Sequence, residues 1–481
     1  MYSLTNKALK GVFWTSLEQF SGKIIGFIIQ IILARILMPE DFGLLAMVIV
    51  FIGIGTSIME SGFGQSLIRT KNPSESDYSS VFYLNVFMAI IVYAILYVLA
   101  PYVSDFYNEE ALIFILRVLA LLIIIKSLYL VQKTILTINL DFKKQMVVNL
   151  ISTIISGIVA TILAIKGFQI WSLVFFQLIT NILSALLFWH YSKWFPKRIF
   201  DTQRIRYHYN FGYKLMLSTI INSVFNYIFD ILIGKYYSSS QLGFYNRAST
   251  FQKFPTMLLG RSVNRVTYPV FSKISENHDQ MKQALRKINK LVIYVYTPFM
   301  FLFIFNANQI IVLLLTEKWL PVVPIFQLLC IGGLLQPIQY YNTNIIKALG
   351  DSALILKINF FSRLFIIFGI VLIINYGFYY LIIFQVISML FVTLCFMRSS
   401  GLKIEYNLFE QIKDIIVNFS ISFSISFLCF YVTKSLDLSN IWSIMFYSIS
   451  FISFYLIFSQ VFKLESYLFI KNLITNKLIK Q

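Results

Sequence analysis

Apolar stretches of about twenty residues recur along this chain, separated by short polar turns, and each is long enough to cross a bilayer as a helix. Fourteen are expected: 11–36, 42–63, 80–101, 111–132, 147–166, 170–190, 211–236, 243–268, 288–306, 321–346, 354–375, 377–397, 411–433 and 440–462. A backbone inside hydrocarbon must satisfy its own polar groups, so the fold class is an all-α polytopic membrane protein of about 14 transmembrane helices. Composition agrees, with 58% hydrophobic and 13% charged residues and a mean hydropathy of +0.75. The first stretch carries Glu18, Gln19, Lys23 and Gln30 without a cleavage site, which reads as a retained helix rather than a signal peptide. The longest connections are 191–210 and 269–287, the second read as a surface amphipathic helix, so a soluble domain has no room.

The net charge of +19 would suggest nucleic acid in a soluble protein, but its placement says otherwise. With the N-terminus inside, five of the 40 Lys and Arg residues fall outside: Arg35, Lys166, Lys235, Lys318 and Lys434. Seven lie within spans, namely Lys23, Arg117, Lys126, Lys214, Arg247, Lys253 and Arg363. The other 28 gather at inner ends and loops, among them Arg69, Lys71, Lys143, Lys144, Lys197 and Arg198. That asymmetry obeys the positive-inside rule, places both termini in the cytoplasm and removes the case for nucleic acid. Cys330, Cys395 and Cys429 sit in apolar runs as free thiols, with no metal spacing. His190, His208 and His278 lie near span ends or polar loops and read as solvated.

Charge inside spans is what a lipid-facing helix tolerates least, at roughly 2.5–3.5 kcal/mol per group at mid-depth. Lys214, Ser218, Asn222, Asn226 and Asp230 recur every fourth residue, one polar seam along one helix. Such a seam is tolerable where it faces a watery or polar cavity. Lys126 lies midway along its span on a face with Tyr129 and Lys133; Lys23 shares a face with Ser16, Gln19 and Gln30. Arg247 and Lys253 follow in the next span, beside Pro255, which is expected to kink it. Arg363 comes four residues after Asn359. Arg117 can snorkel toward Asp105, Glu109 or Glu110, and Glu60 is expected to contact solvent or a loop base. Glu18 and Asp230 could carry a coupling proton or Na⁺, or merely neutralise nearby bases. Gly22 and Gly26 form a GxxxG, read as helix packing.

Residues 33–45 (LARILMPEDFGLL) overlie 232–245 (LIGKYYSSSQLGFY) at a constant offset, so that Arg35 meets Lys235, Gly43 meets Gly243 and Gln30 meets Asp230. The expected organisation is an N-lobe over 1–190, a cytoplasmic linker over 191–210, a second lobe over 211–398, and a final helix pair with a tail over 399–481. Repeated halves commonly place a transport site at their interface.

The runs SGFGQSLIRTK (61–71), LAPYVSDFYNEEAL (99–112), LDFKKQ (140–145), LGFYNRAS (242–249), YPVFSKI (268–274) and LTEKWLPVVPIFQLLCIGGLLQPI (315–338) carry a resemblance. From the N-terminus to about residue 400 the chain resembles the Wzx-type polysaccharide flippases of the multidrug/oligosaccharidyl-lipid/polysaccharide (MOP) exporter superfamily. The resemblance implies a V-shaped fold of two six-helix lobes plus two C-terminal helices, working by alternating access in the bacterial inner membrane. The implied cargo is an undecaprenyl-diphosphate-linked oligosaccharide for O-antigen, capsule or exopolysaccharide, turned from the cytoplasmic to the periplasmic leaflet. Beside the lipid bilayer, polysaccharide polymerase machinery is a candidate partner.

A lipid diphosphate brings negative charge into a low-dielectric layer, and basic groups replace part of its lost hydration. The candidate cation set is therefore Lys23, Lys126, Arg247, Lys253 and Arg363, with Asp230 and Glu18 for ion coupling and Asn222 and Asn226 along the seam. No cofactor is called for beyond an H⁺ or Na⁺ gradient. A drug or cation antiporter of the same superfamily would need an acid-dominated site, whereas the mid-span charge here is mainly basic. A membrane polymerase or ligase would need a catalytic outer loop, and no nucleotide-sugar or nucleophile motif supports an enzyme.

Overall fold

A computed structural model describes residues 21–436 and 438–478, the side chains of 257–266 and 473–478 excepted. Among these residues every regular element is helical. Tertiary contacts divide the chain into two compact units, one ending at Asn246 and the other beginning at Arg247.

The first unit holds α1 (21–36), α2 (Pro39–Glu60), α3 (Phe63–Arg69), α4 (Glu75–Tyr107), α5 (Leu112–Ile138), α6 (Phe142–Ile165), α7 (Ile170–Ser192), α8 (Thr202–Asn226), α9 (Ile228–Tyr236) and the start of α10 (Ser239–Lys273). Local chemistry fixes the helix ends. Ser74 accepts from the Asp77 amide while Asp77 bonds back to the Ser74 amide, a capping box that opens α4. Asp141 and Asp201 cap α6 and α8 more simply, each carboxylate accepting from amides of the first turn. Asn108, in the left-handed conformation at φ 58°, stops α4. α5 is the centre of the unit, packed against α2, α3, α4, α6 and α7, and buries Leu116, Leu119, Ala120 and Ile123.

The second unit holds the rest of α10, then α11 (His278–Phe305), α12 (Ala307–Leu315), α13 (Val322–Gly333), α14 (Gln336–Ala348), α15 (Ser352–Ile373), α16 (Phe378–Lys403), α17 (Leu408–Ser435), α18 (Asn440–Val461) and α19 (Glu465–Leu478). α16 lies among α13, α14 and α15, while α11 packs on α17 and α17 on α18. Asp414 ties the second group together. It receives Arg286 Nε at 2.6 Å and the Tyr406 hydroxyl at 2.7 Å, with Lys290 at 3.4 Å.

Eleven stretches among the described residues are helical, long and apolar enough to cross a membrane, and the bent pair α8–α9 brings the number to as many as twelve. The two remaining expected spans are 11–36, described only from Ser21, and 243–268, which falls on the polar and partly undescribed α10. Apolar side chains such as Ile158, Leu186, Phe368 and Phe454 stand exposed on the helices, as a chain solvated by lipid requires.

Two expected elements differ. The stretch 269–287 is no separate surface helix: α10 continues to Lys273 and α11 begins at His278 and runs on into the apolar part. Asn277 caps that start through the Gln280 amide, so the amphipathic turns become the first part of a span. Nor does the GxxxG pack closely, since among the described residues nothing lies within 4 Å of a Cβ placed on Gly22 or Gly26.

Candidate functional site

α8 runs antiparallel along α2. Tyr227 packs on Gly53, Ser223 Oγ lies 3.5 Å from Ser57 Oγ, and Met216 Sδ lies 3.2 Å from Ser61 Oγ. A Cβ on Gly212 would come within 2.1 Å of the Ser61 carbonyl oxygen, so only glycine permits that approach. The residues facing α2 are thus Gly212, Met216, Ser223 and Tyr227. Lys214, Ser218, Asn222 and Asn226 stand on other faces and all four are exposed.

The seam ends there, because the helix breaks at Tyr227 and α9 leaves at 45°. Asp230 consequently does not continue the ladder as the four-residue spacing predicts. It lies half-buried on α9, where its charge acts on Tyr227 and on Tyr107 at the end of α4. Tyr107 is buried and in turn packs beneath Gly234.

Lys126 is half-buried on α5 with Tyr129 and Lys133. The charges that act on it are Glu60, at the end of α2, and Lys133. Glu60 itself is exposed at the end of α2, in keeping with an acid that contacts solvent. Tyr129 donates to Asn181 Oδ1 of α7 at 3.0 Å and stacks on Phe188, which makes a polar group of three helices inside the first unit. Lys23 is exposed on α1; Glu18 lies outside the described residues. Arg117 turns away from the acids expected to draw it. Its guanidinium lies 4.2 Å over the Tyr97 ring, a cation–π contact one helix away.

In the second unit α10 remains helical through Pro255. Its inward face carries Phe251, Gln252 and Thr256, with Thr256 Oγ1 2.6 Å from the Tyr296 hydroxyl. Arg247 is buried, Lys253 points off that face and is exposed, and Arg363 is half-buried on α15. Lys126 on α5 and Asp230 on α9 thus lie in the first unit on different helices. Arg247, Lys253 and Arg363 belong to the other unit.

One cluster escaped the sequence reading. His208, expected to be solvated, is 0% exposed. Its Nδ1 lies 2.8 Å from Ser66 Oγ of α3, and its Nε2 lies 3.1 Å from Asp77 Oδ1 of α4. A signal for one half was present, since Ser74 and Asp77 have capping-box spacing ahead of an apolar run.

The helical, multi-pass fold with cations set inside its spans resembles the fold of solved transporters of the MOP superfamily. It matches the solved structure of the lipid II flippase MurJ in an inward closed conformation with a TM-score of 0.73 and 16% identity, covering 93% of this chain and 99% of that one. The chain belongs to the polysaccharide biosynthesis protein family, whose model matches residues 32–324. Among its relatives are the teichuronic acid biosynthesis protein TuaB of Bacillus subtilis, 25% identical over 74% of this chain and 74% of that one, and the lipopolysaccharide biosynthesis protein WzxC of Escherichia coli, 23% identical over 77% and 76%.

Proposed function

We propose that this chain is a flippase that carries an undecaprenyl-diphosphate-linked oligosaccharide from the cytoplasmic to the periplasmic leaflet by alternating access, for envelope polysaccharide. Membership in the polysaccharide biosynthesis family supports the pathway, and the MurJ-like fold supports the mode of transport. The observation that carries the reading is Lys126, a base held half-buried inside a span on the α5 face of Tyr129, which bonds Asn181 of α7. Such a group suits an anionic headgroup. The cargo is moved without any bond in it being made or broken, so the protein acts as a carrier and not as an enzyme. Orientation follows from the Lys and Arg asymmetry, with both termini cytoplasmic in a bacterial inner membrane. The glycan delivered outside is then available to polymerase machinery.

An inside-negative potential already favours outward movement of an anion by about 2.3 kcal/mol per charge per 100 mV. The site therefore acts on the desolvation barrier rather than on the driving force. Lys126 and Lys253 are the cations assigned to the diphosphate; Lys23, Arg247 and Arg363 extend the set. Asp230 is the carboxylate assigned to a coupling H⁺ or Na⁺.

The test is delivery of a polyprenyl-diphosphate glycan to the outer leaflet of reconstituted vesicles, normalised to folded protein. Lys126→Gln and Lys253→Gln should each slow delivery about tenfold, the equivalent of ~1.4 kcal/mol on the barrier, while Lys→Arg retains more. Asp230→Asn should weaken dependence on an imposed H⁺ or Na⁺ gradient. Wild-type rates in both glutamine variants would sink the cationic route, and unchanged gradient dependence would remove Asp230 from coupling.

A further inference from the structure

The basic end of the first unit is closed by α8. Besides the Gly212–Ser61 contact, Arg69 of α3 lies 4.8 Å over the Phe211 ring. The 193–201 connection that leads into α8 is fastened to α4: Trp194 Nε1 donates to Glu75 at 3.1 Å, and the Lys197 and Asp201 amides donate to Ser79 and Ser80 at 3.0 and 3.1 Å. In the middle of this closure lies His208, whose ring bridges α3 and α4 through Ser66 and Asp77. Arg204, one turn before it on α8, reaches the same Asp77 oxygen at 3.6 Å. Asp77 and Arg204 are the charged groups that act on the imidazole.

A neutral ring fits this place well. It accepts from the Ser66 hydroxyl at Nδ1 and donates Nε2–H to the carboxylate, so both nitrogens are satisfied at a site without solvent. Separating α8 from α3 and α4 leaves the imidazole, the Ser66 hydroxyl and the Asp77 Oδ1 that faced them unpaired at once, unless water enters, while Asp77 Oδ2 keeps its bonds to Ser74. A contact with that property has two states, bonded and dry or parted and wet.

We propose that His208, bonded to Ser66 and Asp77, is the positioning residue of a gate at the basic end of the protein, and that this contact parts when the end opens to admit cargo. The proposal rests on the alternating-access reading, which requires each end to open in turn. Neither partner takes part in holding the cargo headgroup, so loss of the contact changes which end is open rather than what is bound.

Ser61 supplies the reporter, being 0% exposed beneath α8. Ser61→Cys is made in full-length protein whose Cys330, Cys395 and Cys429 are replaced by alanine, and reacted in vesicles with a membrane-impermeant maleimide. Labelling should be slow in this parent and about tenfold faster after His208→Ala, a factor equivalent to ~1.4 kcal/mol. Ser66→Ala, which removes one of the two bonds, should raise the rate less, and His208→Gln should restore part of the protection. Adding Ser66→Ala to His208→Ala should bring no further increase, because the two residues act in one contact. If His208→Ala fails to fold, the Ser66→Ala and His208→Gln arms decide. Parental labelling rates in the folded variants would overturn the proposal. The measurement uses no cargo, so its failure leaves the flippase reading standing, and a flipping defect without a change in labelling would count against the gate alone.

Discussion

Asp351 shows how much one half-buried carboxylate does between two spans. It accepts from the Leu354 amide at 3.0 Å, capping α15, and pairs with Lys403 of α16 at 3.0 Å. The Lys403 hydrogen bond, followed by the Leu354 amide, holds its carboxyl below the usual carboxylate range. A depressed folded pKa contributes stability above the unfolded pKa, and that stability is lost as pH falls through the folded value. Asp351→Ala should therefore lower the melting temperature in detergent at pH 7, and the gap to wild type should close as pH falls below about 4. A gap of constant size down to pH 3 would assign the loss to packing instead. His208 and Arg117 carry a different lesson. Their side chains went to partners on other helices, Ser66 with Asp77 and Tyr97, that lie 142, 131 and 20 residues away in the chain.

At the level of elements, the weak repeat has a physical counterpart. A Cβ on Gly43 of α2 would sit 1.7 Å from the Ser239 carbonyl oxygen, and one on Gly243 of α10 would sit 1.9 Å from that of Pro39. Pro39 and Ser239, like Gly43 and Gly243, are separated by the offset that aligned the two segments in sequence, so the contact is reciprocal. Each glycine lets the partner backbone approach where no side chain fits. Gly43→Ala or Gly243→Ala must push two backbones apart, at about 1–3 kcal/mol each by the usual cost of overpacking. Gly26→Ala, which meets nothing within 4 Å among the described residues, is the control and should leave the melt unchanged. Equal melts for all three would mean that the crossing yields at no cost. The break between α8 and α9 belongs to this scale too. Tyr227 packs on Gly53 at the bend and ends a seam that sequence periodicity carries one step further.

For the whole molecule the sharpest test is sidedness. Reporters fused after Thr202 and Asn277 should stay cytoplasmic, while those after Asn108 and Asp437 (the last outside the described residues) should be periplasmic. Opposite signals at any two of these sites would refute both the orientation and the count of fourteen. By contacts, α8 and α9 fall in the same unit as α2 to α7, so the compact boundary comes at Asn246. A lobe boundary drawn from the repeat is a statement about ancestry in the sequence; the contact boundary records how α8 lies along α2.

Class, helical content and most span boundaries were legible in the residues because each depends on local quantities: a run of apolar side chains, a capping Ser or Asp, an asymmetry of Lys and Arg. The 200-residue repeat was legible for the same reason, as a copied local pattern. Which buried polar group meets which was not. Tyr129 finds Asn181, and His208 finds Ser66 and Asp77, through the packing of α5 on α7 and of α8 on α3 and α4. Sequence spacing places a side chain on a face of its own helix, but the identity of the facing helix is set by burial summed over the whole unit, and only the tertiary structure decides it.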